Sequence, residues 1–383
     1  MKRMGWILAA LCLILLLLPG QVQAAELDTG GKSAVLMDLS TGTVLYEKNP
    51  HEPLAPASVT KVMTMLLIME AIDEGRIGWD DPVTASEAAA AKGGSQIYLK
   101  VGEQMSVSDM LKSIAVSSAN DCACAMAEFI AGSESAFVER MNARAKELGM
   151  NDTNFVNCTG LDDGENAAQH RTSAYDIAIM SCQLLKNHPD IRKFTTIWMD
   201  TVRNGAFGLS NTNKMVRFYD GCTGLKTGFT SGAGYCLSAS AQREGLELIA
   251  VVMGAETSQI RFAACKSMLD YGFANFALYE PVLQEGAAVP VKLGTAESAA
   301  AVPSGETKLL VDKGQRNDIV TEITLEESIT APVSQGQRLG TMTVRSGDQV
   351  LTQVPLVAEA AVERLSWGQM TGKILRLVAM SAQ

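Results

Sequence analysis

Histidine is almost absent. The 383 residues hold three, His51, His170 and His188, so a zinc site or a Ser-His-Asp triad would have to be built around one of them. Basic clusters are missing as well: 32 Lys+Arg stand against 42 Asp+Glu, a net charge of −10, with no Lys/Arg run anywhere. Such a chain lacks the electrostatic footprint that phosphate contacts require, which argues against a nucleic-acid partner. Charged residues make up 19%, below the ~25% of an average globular chain, and 47% are hydrophobic, which argues against extended disorder. At roughly 150 residues per domain, this length accommodates two or three domains with real cores. Internal repeats are absent, and the cysteine spacing fits neither a zinc motif nor a dense disulfide framework.

What is present is unevenly placed. Lys2 and Arg3 precede an apolar run from Trp6 to Pro19, and Val22-Gln23-Ala24-Ala25 supplies small residues behind it. This is the pattern of a cleaved export leader over 1–24. The run is shorter than the ~20 residues of a membrane span and is interrupted at Pro19-Gly20. Cys12 lies inside the run and not after a lipid-attachment motif. Loss of the two cations Lys2 and Arg3 would take the net charge from −10 to −12. Seven cysteines then remain, an odd number that cannot pair completely, and most read as small buried hydrophobes.

Residues 33–38 and 43–46 flank the turn Leu39-Ser-Thr-Gly42 and predict a β-hairpin. A long apolar helix is expected over 59–74, stopping at Gly75, with further helical patterns over 106–131, 134–148 and 172–187. Short β-type runs with glycine turns follow over 221–254, then a helix over 258–271. Strands at both ends of a helical middle predict an α+β domain whose sheet joins the two ends. Beyond residue 282, alternating strands dominate up to 357 and suggest a small all-β domain, with the Ala/Gly/Ser/Thr-rich stretch 292–306 as a flexible loop. The last piece returns to helical period. Trp367, Met370, Ile374, Leu377 and Val378 share one face, and Arg364, Gln369, Lys373 and Arg376 take the other. An interfacial membrane helix fits this pattern; a helix docked on the β domain is the alternative.

Three short motifs can carry chemistry. In Ser58-Val-Thr-Lys61, a helix start would bring the Lys61 amine to the Ser58 hydroxyl, with free backbone N–H groups nearby. Serine becomes a nucleophile only when a base takes its proton, and lysine is such a base only if burial or a second cation lowers its pKa. Taken alone, the tetrapeptide equally describes an N-capping serine with a solvated lysine. Ser118-Ala119-Asn120 offers a hydroxyl and an amide that could relay a proton and hold a carbonyl; it also reads as a loop with a helix cap. Lys226-Thr227-Gly228 places a cation, a hydroxyl and a bare backbone on a strand, suited to an anionic ligand or to nothing more than an edge strand.

Together the three change the odds. S-x-x-K at a helix start, S-x-N about 60 residues later and K-T-G about 105 beyond that form the signature of penicillin-binding proteins and serine β-lactamases. The sequence resembles the low-molecular-mass penicillin-binding proteins that are serine-type D-alanyl-D-alanine carboxypeptidases, over nearly its whole length. Gly94-Ser95-Gln-Ile-Tyr-Leu99, Ser118-Ala-Asn-Asp121, the stretch Asn157 to Leu161, and Lys226 through Tyr235 share the likeness. The resemblance implies an α+β, β-lactamase/D,D-peptidase-like catalytic domain (25–282) made of an antiparallel sheet with a helical subdomain. A small β domain (283–357) and an amphipathic helix (358–383) would follow it.

It also implies a substrate, peptidoglycan stem peptides ending in D-Ala-D-Ala, and β-lactams as covalent inhibitors. No cofactor or metal is implied. Ser58 would attack, Lys61 would act as general base, and Ser118 would pass a proton to the leaving amine. Asn120 would position the substrate amide, Lys226 would supply positive potential, and Thr227 would bind the terminal carboxylate. Gly228 would allow close approach, the N–H groups of Ser58 and Phe229 would form the oxyanion hole, and Arg261 would support carboxylate recognition. The family's layout implies a site outside the cytoplasm, on the wall side of the cytoplasmic membrane, with the tail on the membrane's outer face. Many family members carry histidine where this chain has Phe229, and His170 reads as structural.

A β-lactamase shares the acylation chemistry, but Ser118-Ala-Asn120 is not S-D-N, and Glu165-Asn166 does not match the deacylating loop of class A enzymes. Endopeptidase or transpeptidase activity on cross-links is a second rival. A silent wall-binding protein would have lost part of the constellation, which is intact here.

Overall fold

The computed structural model describes residues 27, 29–162, 164, 166–283 and 286–381. The leader expected over 1–24 lies outside them.

Two hydrophobic clusters sit on opposite faces of one five-stranded sheet. Its strands are β1 (Ser33–Asp38), β2 (Val44–Lys48), β3 (Cys222–Thr230), β4 (Gly234–Arg243) and β5 (Leu246–Ala255), in the antiparallel order β2-β1-β5-β4-β3. The N-terminal hairpin thus pairs with the last strand, closing the domain end to end. Strand β5, Leu-Glu-Leu-Ile-Ala-Val-Val-Met-Gly-Ala, is almost wholly buried because both its faces are covered. Val35, Met37, Ile249, Val251 and Met253 face the helical side, and Ala34, Leu36, Leu248, Ala250 and Val252 face the other.

The helical side contains α1 (Lys61–Asp73), α2 (Val107–Ser117), α3 (Asn120–Ala131), α4 (Glu134–Glu147) and α5 (Ala174–Asn187). Helix α1 is buried from Lys61 through Met69, so it is apolar all round rather than amphipathic. Ser106, Ser133 and Ser173 cap α2, α4 and α5 by accepting the backbone N–H of Asp109, Ala136 and Asp176. The expected helical stretch 106–131 is two helices: Ser118 sits in the left-handed region at φ 64° and turns the chain between α2 and α3. On the other face packs α6 (Ser258–Asn275), capped by Thr257, with Cys265, Met268, Leu269 and Phe273 against the sheet.

After α6 the chain pairs β6 (Phe276–Tyr279) with β9 (Leu309–Asp312) and then builds a separate sheet. Strands β7 (Ala288–Lys292), β8 (Ser298–Pro303), β10 (Ile319–Leu325), β11 (Ile329–Thr330), β12 (Arg338–Ser346) and β13 (Gln349–Ala358) lie in the order β10-β12-β13-β8-β7-β11 around Val289, Leu339, Met342 and Leu356. The stretch 292–306, expected as a loop, contains β8. Its alternate residues Ala299 and Ala301 point into this core, and side chains that small leave a faint alternation in the sequence.

The tail is helical over α7 (Trp367–Ser381) but not from 358 onward, because Val362 and Arg364 form bridges with Val333 and Gly294. Trp367 is 85% exposed, and Lys373 reaches Glu297 at 3.4 Å. The side chains of Ile374, Leu377 and Val378 lie outside the described residues. Among the described residues no helix is long and apolar enough to cross a membrane. Among the described residues seven cysteines are free, five of them buried and Cys182 and Cys222 partly so.

Candidate active site

The site forms where α1, the α2–α3 turn and the strand β3 meet. Ser58 lies on a single 3-10 turn, Ala57–Thr60, that runs directly into α1. Lys61 is therefore one turn from Ser58, and its Nζ is 3.0 Å from Ser58 Oγ. The amine also donates to the Thr159 carbonyl at 2.7 Å. Thr159 is fixed in turn by Asn157, whose Oδ1 accepts the N–H groups of Thr159 and Gly160 at 3.1 and 2.7 Å. Lys61 is fully buried, and burial lowers its pKa from 10.5 to about 7, against smaller opposing effects of Cys158 and Asp121.

The second motif supplies two polar atoms with no partner. Ser118 Oγ and Asn120 Oδ1 are buried and make no hydrogen bond among the described residues. Unsatisfied buried acceptors are costly, so such atoms mark a place kept for a ligand. Asn120 itself is firmly held: its Nδ2 donates to the Gly93 carbonyl at 2.7 Å and its backbone N–H to the Ser95 carbonyl at 2.7 Å. The neighbouring Asp121 accepts the N–H groups of Ile97 and Leu99 at 3.1 and 3.0 Å. These bonds pin the stretch Gly94 to Leu99 against the start of α3.

Strand β3 brings the third motif. Lys226 is fully buried and donates to the Thr227 carbonyl at 2.8 Å. Its pKa is driven well below 10.5 by burial first and then by repulsion from Lys61 and Arg261, so the two buried amines do not both stay charged. Gly228 faces the nucleophile turn: a β-carbon there would lie 2.7 Å from the Pro56 carbonyl and 3.1 Å from Ser58 N. Phe229 follows, 53% exposed, its ring tilted 31° against that of Tyr235 at 4.3 Å between centroids. Arg261 lies behind the strand, donating to the carbonyls of Gly228 and Cys236 at 2.9 and 3.3 Å.

All nine residues singled out in the sequence thus fall in one region, Arg261 in support from behind. Other residues complete it. Thr159 and Asn157, within the stretch Asn157 to Leu161 that shares the family likeness, hold Lys61, although no chemistry is legible for either in the sequence. His170 is 3% exposed; its Nδ1 accepts the Val156 N–H at 3.1 Å and its Nε2 lies 2.7 Å from Thr60 Oγ1. Thr60 in turn donates to the Ala57 carbonyl at 2.8 Å. With Nδ1 as acceptor, Nε2 carries the proton and donates to Thr60. Burial, with help from Arg171 and Lys61, lowers the His170 pKa to about 4, which keeps that neutral tautomer. Among the described residues no cluster of His, Cys, Asp or Glu could hold a metal ion.

The chain is similar to known proteins over most of its length. Residues 20–257 match the family described as D-alanyl-D-alanine carboxypeptidase, and residues 279–364 match the C-terminal domain of penicillin-binding protein 5. The D-alanyl-D-alanine carboxypeptidase DacF of Bacillus subtilis is 45% identical, covering 89% of this chain and 88% of its own. DacC of Escherichia coli is 32% identical, covering 94% and 90%. Penicillin-binding protein 5 of Haemophilus influenzae superposes with a TM-score of 0.75 at 30% identity, covering 88% of this chain and 98% of its own. Penicillin-binding protein D2 of Listeria monocytogenes, solved in an ampicillin-bound form, gives 0.58 at 31% identity over 64% of this chain and 98% of its own. With a helical and sheet framework, paired serine and lysine, and matches across both domains, the chain belongs to the serine D-alanyl-D-alanine carboxypeptidase family of penicillin-binding proteins.

Proposed function

We propose that Ser58, Lys61 and Ser118 are the catalytic residues of this carboxypeptidase, acting on stem peptides that end in D-Ala-D-Ala. The observation that carries this is the buried Lys61 amine, 3.0 Å from Ser58 Oγ and with its pKa lowered to about 7. A neutral amine at that distance takes the Ser58 proton as Oγ bonds to the penultimate D-Ala carbonyl carbon. The N–H groups of Ser58 and Phe229 receive the oxyanion, worth about 3–4 kcal/mol per donor by analogy with other hydrolases. Breaking the C–N bond needs a proton on the departing D-Ala nitrogen. Ser118, whose hydroxyl is otherwise unpartnered, gives its own proton and regains one from Lys61. Water then hydrolyses the Ser58 ester by the reverse route, and the shortened peptide leaves.

Asn120 Oδ1, also unpartnered, is suited to the substrate's amide N–H. Lys226 and Thr227 face the terminal carboxylate, Gly228 permits the close approach, and Arg261 steadies the strand. The β-lactam ring presents the same carbonyl and carboxylate, so penicillins would acylate Ser58. The division into a catalytic domain (25–282), a β domain (283–357) and a tail, with export and attachment of the tail to the outer face of the cytoplasmic membrane, completes the proposal. Exposed Trp367 and Leu375 on α7 support the attachment.

Incubation with a D-Ala-D-Ala pentapeptide should release one free D-Ala per peptide. Cleaved or newly formed cross-links as the main product would instead favour an endopeptidase or transpeptidase.

A further inference from the structure

One hydroxyl beside the site has no task in the reaction above. Thr212 lies between the strand Phe207–Ser210 and the short helix Met215–Phe218. Both flanking asparagines are buried and serve to shape the backbone. Asn211 donates to the Ile197 carbonyl at 2.7 Å and accepts the Asn213 N–H at 2.8 Å, while Asn213 accepts the Met215 N–H at 3.1 Å. The N–H of Thr212 donates to the Val116 carbonyl at 3.1 Å, two residues before Ser118. The loop is thereby tied to the end of α2, and its half-buried threonine meets β3, where Thr227 Oγ1 donates to Thr212 Oγ1 at 2.7 Å.

A threonine hydroxyl has one O–H and two lone pairs. Thr212 accepts from Thr227, and its own O–H has no acceptor among the described residues. It is a free donor next to the strand that carries Lys226. Arg261, behind that strand, spends Nη1 on the Gly228 and Cys236 carbonyls and lies over the Tyr235 and Phe262 rings at 5.2 and 4.9 Å, while its Nε is buried with no partner among the described residues.

We infer that Thr212 joins Thr227 in a paired-hydroxyl seat for the substrate's terminal carboxylate. This rests on the carboxypeptidase reading and names a specificity residue within it. On binding, Thr227 swings its O–H from Thr212 to one carboxylate oxygen, and Thr212 donates to the other. One neutral hydrogen bond is exchanged for two charge-assisted ones. A substrate with a neutral C-terminus gains less from the same exchange.

The test compares an acyl-D-Ala-D-Ala peptide with its C-terminal carboxamide on the full chain, following kcat/KM through the shared des-D-Ala product. The preference for the acid should fall about tenfold in Thr212→Val, and Thr212→Ser should keep it within about twofold of the wild type. Where the carboxamide turns over too slowly, the two peptides are compared as competitors of penicillin labelling, and saturating penicillin confirms a folded variant. An unchanged acid-to-amide ratio in Thr212→Val, whatever the absolute rates, overturns the inference. Absence of D-Ala release by the wild type overturns the carboxypeptidase reading instead.

Discussion

Gly160 lies so close to Ala57 that a β-carbon on it would fall 1.8 Å from the Ala57 carbonyl oxygen. Both residues are in left-handed backbone, at φ 83° and 48°, and for alanine that conformation costs about 1 kcal/mol or more. Their contact lets the segment carrying Thr159 lie flat on the nucleophile turn, which brings the Thr159 carbonyl to Lys61. Gly160→Ala must push that segment away. Its penicillin acylation rate should drop at least tenfold and its stability by about 2–4 kcal/mol, read by stopped-flow labelling and urea unfolding. Wild-type acylation would show that the contact has no part in placing the base.

The pH profile of acylation follows from Lys61. The amine must be unprotonated to accept the Ser58 proton, so activity should rise with pH and level off, with a midpoint near 7 and not near 10.5. Lys61→Arg, which cannot lose its proton, should reduce acylation more than a hundredfold. A single midpoint above 9 in the wild type would contradict a buried, neutral base.

His170 makes a different prediction, for stability. Its pKa is about 4 in the folded chain against 6.5 for a free imidazole. Between those values the unfolded chain binds a proton that the folded chain refuses, so falling pH removes stability, up to roughly 3 kcal/mol in total. Urea unfolding at pH 7 and pH 4.5 should show a smaller loss in His170→Gln than in the wild type. Equal losses would place His170 in a wetter setting.

Truncation after Ser366 removes α7 but keeps the bridges of Val362 and Arg364 to the β domain. The shortened protein should lose membrane-fraction association while its penicillin labelling stays within about twofold. Unchanged association would assign α7 to packing on its own domain, where Lys373 already reaches Glu297.

How much of this the sequence disclosed depends on where the information resides. Ser58 and Lys61 were legible because one helical turn separates them, and the end-to-end sheet because short β-type runs bounded by turn residues stand at both ends of a helical middle. Gly228 was legible as a close approach only through the motif around it. The stretch holding Thr159 and Gly160 was legible only as part of the family likeness and Thr212 not at all, since each acts through a backbone atom or hydroxyl set by a contact roughly 15 to 100 residues away in sequence. The strand Ser298–Pro303 was hidden by alanines, whose small side chains bury little surface and so alternate weakly.

The central claim is that Ser58 is the acylated nucleophile. Intact-mass measurement after incubation with a penicillin, followed by peptide mapping, tests it most directly. The account predicts one adduct per chain, located on Ser58 and absent from Ser58→Ala. A folded protein that gains no mass, or an adduct that persists in Ser58→Ala, would contradict it.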